Sequence, residues 1–159
     1  MFKVNDYVVY RKDICRIKEL KEKNGINYYI LVPIDDESLK IELPTDNNIL
    51  RKPISKEEAS VLINSIPNIL PIECNDKLIE NEYKNLLSTG NKEDLIKIIK
   101  TTYLRNKERI DNKKKISDKD NNYFNKAERI LYNELSIVLD MTYEQTKDYV
   151  IEKVGKMEK

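Results

Sequence analysis

The spacing of apolar residues changes at Pro44, and this change constrains the fold more than any other feature. In residues 38–44, three apolar residues alternate with two charged ones, the period of a strand with one buried and one solvated face. The apolar positions are Leu39, Ile41 and Leu43, and the charged ones are Lys40 and Glu42. Pro44 cannot donate a main-chain hydrogen bond, so it ends the strand or marks a sheet edge. Strand patterns precede this point and helical patterns follow it, which predicts an α+β fold.

Three further strand patterns precede residue 38, over residues 2–11, 14–22 and 27–34. Lys23-Asn24-Gly25 separates the second from the third, and Gly25 supplies any positive φ that the turn needs. The third is apolar without interruption over residues 28–32, which favours a central position in the sheet. Four short strands in about 44 residues predict a small Tudor-like or SH3-like barrel, closed by the turn around residues 45–48.

Helical patterns occupy the rest of the chain. Ser55 and Glu58 form a capping box that opens a first helix, which reaches about residue 66. Prolines 67 and 71 then mark the linker, and a second helix covers residues 76–88. The third begins after Asn91, the fourth at the Ser117 cap and the fifth at the Thr142 capping box. We predict an N-terminal β domain over 1–53, a connecting helix and linker over 54–72, and a compact helical C-terminal domain over 73–159.

The composition gives little support to catalysis. The chain has no histidine, which removes the commonest general base and the commonest metal ligand. It has no Gly-rich phosphate loop, no paired-cysteine metal motif and no Gly-x-Ser-x-Gly. Its carboxylate pairs fall in the first turns of predicted helices, where they complement the helix dipole. The sequence therefore predicts a protein that is not an enzyme and has no metal or cofactor.

The cysteines and the hydropathy favour the cytoplasm. Cys15 and Cys74 show neither metal spacing nor a disulfide framework, and Cys15 is predicted to be a small core residue. No apolar run approaches the about 18 residues of a membrane span. No basic segment followed by an apolar run opens the chain, so we expect no secretory signal and no membrane contact.

Positive charge is concentrated in residues 92–115, which hold nine Lys or Arg against four Asp or Glu, although the whole chain carries only +1. Residues 54–91 hold three against six, and residues 118–159 seven against nine. Arg105, Lys107 and Arg109 belong to this basic segment. A nucleic-acid backbone would favour such a patch, with salt-sensitive and sequence-independent affinity. The equal alternative is a solvated face of a Lys-rich protein. Tyr103, Tyr123 and Tyr132 have helical spacing and are assigned to packing.

The solvated side of residues 38–44 is the second candidate surface. Lys40 and Glu42 point away from the predicted core, and a sheet edge beside them could accept a strand from a partner by β-augmentation. The alternative is an edge whose charges only guard against aggregation. Both interpretations stay open from the residues alone.

Several segments resemble a known family in their order and spacing. They are Phe2-Lys-Val-Asn-Asp-Tyr-Val-Val-Tyr10, Leu39-Lys-Ile-Glu-Leu-Pro44, Ile54-Ser-Lys-Glu-Glu58, Lys126-Ala-Glu-Arg-Ile-Leu131 and Glu134-Leu135. Over essentially its whole length the chain resembles the CarD/CdnL family of bacterial transcription regulators. The resemblance implies a Tudor-like N-terminal domain that binds the β subunit of RNA polymerase, a module shared with the transcription-repair coupling factor. It also implies a helical domain that contacts promoter DNA at the upstream edge of the bubble and stabilises the open complex.

Carried over by position, the polymerase contact falls on the fourth strand and the neighbouring turn: Lys23, Lys40, Ile41, Glu42 and Leu43. The family often has Arg where Glu42 stands, so one ion pair must differ. Its usual Pro and His-Gly after Val-Val-Tyr are replaced here by Arg11-Lys-Asp-Ile14, which reshapes that loop.

The tryptophan that many members insert into the minor groove is absent, and the corresponding residues 75–77 are polar. DNA binding should therefore be weak and largely non-specific, and depend on Lys77, Lys84 and Lys126 with the basic segment. We expect a cytoplasmic monomer whose partners are the RNA polymerase β subunit and promoter DNA. The alternative is a polymerase-binding adaptor whose helical domain binds another protein.

Overall fold

The computed structural model describes residues 1–157 and has the predicted α+β organisation. The four strands are β1 (Tyr7–Tyr10), β2 (Asp13–Lys23), β3 (Ile26–Pro33) and β4 (Ile41–Pro44), in one antiparallel sheet of order β1-β2-β3-β4. The helices are α1 (Lys56–Ser65), α2 (Ile79–Thr89), α3 (Lys92–Asp111), α4 (Asp118–Leu139) and α5 (Tyr143–Met157), with a short 3-10 helix at Ile66–Asn68.

The sheet is open, and the expected Tudor-like or SH3-like barrel is not closed. After β4 the chain crosses to the outer edge of β1, where Arg51 and Val9 exchange two main-chain hydrogen bonds of 2.8 and 3.2 Å. The pairing stops at this single bridge. The side chain of Asn47 accepts hydrogen bonds from the amides of Ile49 and Leu50, at 2.9 and 3.1 Å, and holds this segment in a turn.

The fourth strand is shorter than its hydrophobic alternation predicts. The carboxylate of Asp36 accepts a hydrogen bond from the Ser38 amide at 3.2 Å, and the amide of Leu39 donates to the Asp36 carbonyl at 3.2 Å. This local turn competes with the strand, so β4 begins only at Ile41. Leu39 is 49 % exposed, and its predicted place in the core is wrong.

The predicted turn and capping boxes are present. Asn24 and Gly25 have φ of 53° and 80°, the two positive values of a type I′ hairpin turn. The Ser55 hydroxyl accepts from the Glu58 amide at 3.0 Å, and the Glu58 carboxylate accepts from the Ser55 amide at 3.1 Å. Thr142 and Gln145 form the equivalent pair at the start of α5. The third helix begins after Asn91 as predicted and continues to Asp111.

The buried apolar residues form two clusters. The sheet cluster contains Val8, Cys15, Ile17, Tyr29, Leu31 and Leu43. The helical cluster draws on all five helices, and its largest fully buried side chain is Tyr83. Cys15 is a core residue as predicted, and burial raises the pKa of its thiol to about 12, so it is inert as a nucleophile at neutral pH. Helix α1, predicted to connect two domains, packs into the helical cluster.

A polar network holds the sheet against α4. The Arg129 guanidinium lies 3.2 Å from Asp13 and 2.9 Å from Asp35, and Asn133 donates to the same Asp35 carboxylate at 2.9 Å. These contacts fix how the helices sit on the sheet. The boundaries at 53 and 72 stay predictions, and the last two residues of the range 73–159 lie outside the described residues. None of the described helices is both long and apolar enough to cross a bilayer.

Candidate functional site: a free sheet edge and the helical cations

The outer side of β4 is a free main-chain edge. The amide of Thr45 donates to the Asn27 carbonyl at 2.9 Å, so Asn27 and Thr45 form a hydrogen-bonded pair. Because such pairs alternate in an antiparallel ladder, Tyr29–Leu43 and Leu31–Ile41 are bonded as well. The N–H and C=O of Glu42 therefore point away from β3. Within residues 1–157 no other strand pairs with this side of β4.

The side chains of β4 divide between core and solvent. Leu43 belongs to the sheet cluster and Ile41 packs against it, whereas Lys40 and Glu42 are exposed. The Lys23 ammonium lies 2.7 Å from the Glu42 carboxylate, and this contact lowers the pKa of Glu42 and raises the pKa of Lys23. Four of the five residues predicted to contact the polymerase thus lie together, with Lys40 just before the strand. The side chains of Ile41 and Leu43 pack on the core face of the sheet, so they do not lie beside the free N–H of Glu42.

An edge of this kind can accept one additional strand. An incoming backbone would bond to the free amide and carbonyl of Glu42, and the Lys23–Glu42 pair beside them offers both signs of charge. The pair is solvent-exposed, so salt screens it. Pro44 limits the edge on one side and the turn at Asp36–Leu39 on the other, which makes the docking surface short.

The arginines of the predicted basic segment are occupied within the fold. Arg105 lies 2.9 Å from Asp120 and 2.7 Å from Asp76, and Arg109 lies 2.8 Å from Asp120. The buried Tyr83 hydroxyl donates to the same Asp120 carboxylate at 3.1 Å. Two guanidinium charges are therefore balanced by two carboxylates. This gives Arg105 and Arg109 a role in stability whether or not they also contact DNA.

Other lysines of this segment are also engaged. Lys92 pairs with Glu134 at 3.0 Å, Lys97 lies 4.0 Å from Asp94, and Lys100 donates to the carbonyls of Ile66 and Ile69. Among the side chains of residues 1–155, four exposed lysines of the segment have no carboxylate within 4.0 Å. They are Lys107, Lys113, Lys114 and Lys115. These four lysines lie at the C-terminal end of α3 and in the loop that follows it.

The other predicted DNA contacts lie on α2 and α4. Glu80 lies between two lysines, 3.5 Å from Lys84 and 3.4 Å from Lys119, and so links the two helices. The Lys126 ammonium lies 5.4 Å from the centre of the Tyr123 ring. Lys77 is exposed in the turn before α2. Arg105, Lys107 and Arg109 lie on α3, and Arg105 pairs with Asp76, the residue before Lys77.

Two features escaped sequence reasoning. Tyr103, assigned to packing, is 56 % exposed and lines an apolar groove of about 350 Å³ between α3 and α5, with Ile99, Ile151 and Val154. Tyr132 is buried as expected. Arg11 and Lys12, in the turn between β1 and β2, line the same cleft as Lys126. Their charge in a two-residue turn was visible in the sequence, but their distance from α4 was not.

Within the part of the chain that the structure describes, no group of three or more Cys, Asp or Glu residues is placed to hold a metal ion. No family model matches the chain, and no curated protein matches it. The resemblance to CarD/CdnL proteins consequently depends on the segments quoted above.

Proposed function

We propose that this protein is a non-catalytic transcription regulator of the CarD/CdnL type. In this proposal β4 docks on the β subunit of bacterial RNA polymerase, and the helical part contacts promoter DNA and stabilises the open complex. The observation that carries it is the outward-facing N–H and C=O of Glu42 on an edge unpaired within the described residues, in one of the segments that resemble the family. The Lys23–Glu42 ion pair supports the same location.

Replacing Glu42 by proline should weaken binding to a fragment of the polymerase β subunit at least tenfold, or about 1.4 kcal/mol. Proline removes the outward N–H and puts a ring in the path of an incoming strand, while the ladder to β3 keeps its hydrogen bonds. Charge reversal by Lys40→Glu or Glu42→Lys should abolish the contact without unfolding the protein. Titration calorimetry with the purified fragment measures all three.

Glu42→Ala is the matched control, because it removes the ion pair and keeps the N–H. It should bind more weakly than wild type and more tightly than Glu42→Pro. Normal binding by the proline and charge-reversal variants, with unchanged thermal unfolding, would show that β4 is not the docking edge.

The DNA half of the proposal predicts steep salt dependence. Contacts to phosphates release counterions, so the logarithm of the association constant should fall linearly with the logarithm of salt concentration, by about 0.9 per phosphate contacted. A labelled forked promoter fragment, titrated at several salt concentrations, gives this slope. A slope near zero, or no binding at low salt, would remove DNA from the proposed function.

The second candidate is a polymerase-binding adaptor whose helical part binds another protein. The apolar groove lined by Tyr103 and Ile151 favours it, since both residues are more than half exposed. Large apolar groups at the surface often mark protein contacts. This candidate predicts that the forked fragment does not bind while the polymerase fragment does.

A further inference from the structure

The turn between β1 and β2 and helix α4 enclose a basic cleft of about 310 Å³. The turn contributes Arg11 and Lys12, and α4 contributes Lys126 and Arg129, while Asp13 at the start of β2 is the carboxylate of the lining. Leu87 of α2 and Ile130 of α4 add the apolar part of the lining. Cations from the sheet and from the helices thus meet at one site, which neither part forms alone.

Three of the four cations are not neutralised. The fourth cation, Arg129, forms ion pairs with Asp13 and Asp35. Among the side chains of residues 1–155, no carboxylate lies within 4.0 Å of the charged groups of Arg11, Lys12 or Lys126. The cleft therefore keeps an excess of positive charge.

Two of these cations are placed by aromatic rings. The Arg11 guanidinium carbon lies 5.3 Å from the centre of the Tyr10 ring, and the Lys126 ammonium lies 5.4 Å from that of Tyr123. A ring face attracts a cation without cancelling its charge. Both side chains are consequently oriented and remain able to bind an anion.

The backbone at Arg11 is in an unfavourable conformation for its residue type. Its φ of 58° lies in the left-handed region, where hairpin turns prefer Gly, Asn or Asp. The other hairpin of the same sheet follows this preference with Asn24-Gly25. Strained positions of this kind concentrate at functional sites. Position 11 thus carries a cation although its backbone conformation favours Gly, Asn or Asp.

The basic surface continues along α4. Lys119 and Lys84 share the single carboxylate of Glu80, which leaves them one positive charge in excess. Helical rise separates Lys119 from Lys126 by about 10 Å. That distance equals the axial rise of about three base pairs of a duplex.

We propose that this cleft binds the phosphate backbone of duplex DNA, with Arg11 and Lys12 acting together with Lys126. The inference rests on the proposed DNA contact and moves its centre from α3 to the junction of sheet and helices. Isolated cations on a concave surface suit a regular array of phosphates. The contact is made to the backbone, so it carries no base specificity.

The test compares two triple variants of the full chain that lose the same charge. The cleft variant is Arg11→Asn, Lys12→Gln and Lys126→Gln, in which Asn suits the left-handed position. The control is Lys3→Gln, Lys18→Gln and Lys56→Gln, three exposed lysines elsewhere. Fluorescence anisotropy with a short labelled duplex, over a series of salt concentrations, gives the affinity and the salt slope. Thermal unfolding of both variants checks that each is folded.

The cleft variant should bind the duplex at least tenfold more weakly at low salt, with a slope smaller by about two to three. The control should keep the wild-type slope. If the cleft variant keeps the wild-type affinity and salt slope, the inference about the cleft is wrong, and the proposed DNA contact is unaffected. If the wild type does not bind the duplex, both fail.

A competition experiment with polyglutamate separates DNA from an acidic protein. The duplex should resist displacement by polyglutamate at equal charge concentration. If polyglutamate binds the wild type as tightly as the duplex and loses affinity equally in the cleft variant, the cleft is an acidic-protein site and the assignment to DNA is wrong.

Discussion

Replacing Glu134 by glutamine should lower the free energy of unfolding by about 3 kcal/mol, the lower end of the range for breaking a buried ion pair. Glu134 is 4 % exposed on its side chain and accepts from the Ile54 amide at 2.9 Å, from Arg51 at 3.2 Å and from Lys92 at 3.0 Å. Glutamine keeps the volume but removes the charge, which leaves the Lys92 ammonium, 12 % exposed, without its partner. Arg51 is partly solvated, so the loss of its ion pair with Glu134 costs less free energy.

Glu134 contacts three separate segments of the chain, so its replacement affects more than one contact. Arg51 also forms the only bridge to the outer edge of β1 in the described residues, and Lys92 opens α3. One carboxylate on α4 thus connects the sheet, the start of α1 and the start of α3. Loss of this carboxylate should loosen the junction between the sheet and the helices.

Thermal unfolding followed by circular dichroism measures the effect. At about 3 °C per kcal/mol for a chain of this size, the Tm should fall by about 10 °C. Glu57→Gln is the matched control, because Glu57 is exposed in the first turn of α1 and should change the Tm little. Equal unfolding temperatures for Glu134→Gln and the control would contradict this account.

The same variant should change how stability depends on pH. Burial alone would raise the pKa of Glu134, but Lys92, the Ile54 amide and Arg51 together outweigh it and lower the pKa below its ordinary value of 4.5. A carboxylate with a lowered pKa in the folded state stabilises the fold above its unfolded pKa, and this contribution disappears as the pH falls. Wild type and Glu134→Gln should therefore differ most at neutral pH, and the difference should shrink as the pH falls below 4.5 and through the lowered pKa of Glu134.

Asp120→Asn is the second change with a large expected effect, a loss of about 2 to 3 kcal/mol. The Asp120 side chain is 1 % exposed and binds Arg105, Arg109 and the buried Tyr83 hydroxyl. Its own burial would raise its pKa, but the hydrogen bonds from Arg109 and Arg105 lower it, so the carboxylate is charged at neutral pH. The asparagine amide cannot balance two guanidinium groups. Both arginines are partly solvated, which moderates the loss.

Urea denaturation of Asp120→Asn, beside Asp118→Asn in the same first turn of α4, isolates this network. Asp118 is exposed and contributes mainly through the helix dipole, so its change should cost about 0.5 kcal/mol. If the two variants unfold at the same urea concentration, the Asp120 network does not stabilise the helical cluster.

The local signals in the sequence determined much of the fold. The change of hydrophobic period at Pro44 predicted a sheet followed by helices, and the Asn24-Gly25 turn needed only local backbone preference. The capping boxes at Ser55 and Thr142 fixed two helix starts for the same reason, since their hydrogen bonds join residues three apart. The segment around Glu42 was predicted as a sheet edge, and its main-chain groups are unpaired on one side within the described residues.

Local turns that hydrophobic spacing does not reveal, and contacts between distant residues, decided the rest. Leu39 has the right spacing for a strand, but the Asp36 turn removes it, and the Asn47 turn follows β4 where the sheet stays open. A count of charges could not reveal that Asp76 and Asp120 balance the two arginines of α3, or that Arg11 and Lys126 line one cleft. Charge is a property of each residue and is written in the sequence. Whether that charge is neutralised depends on which helices and strands pack together, and only the tertiary structure specifies this.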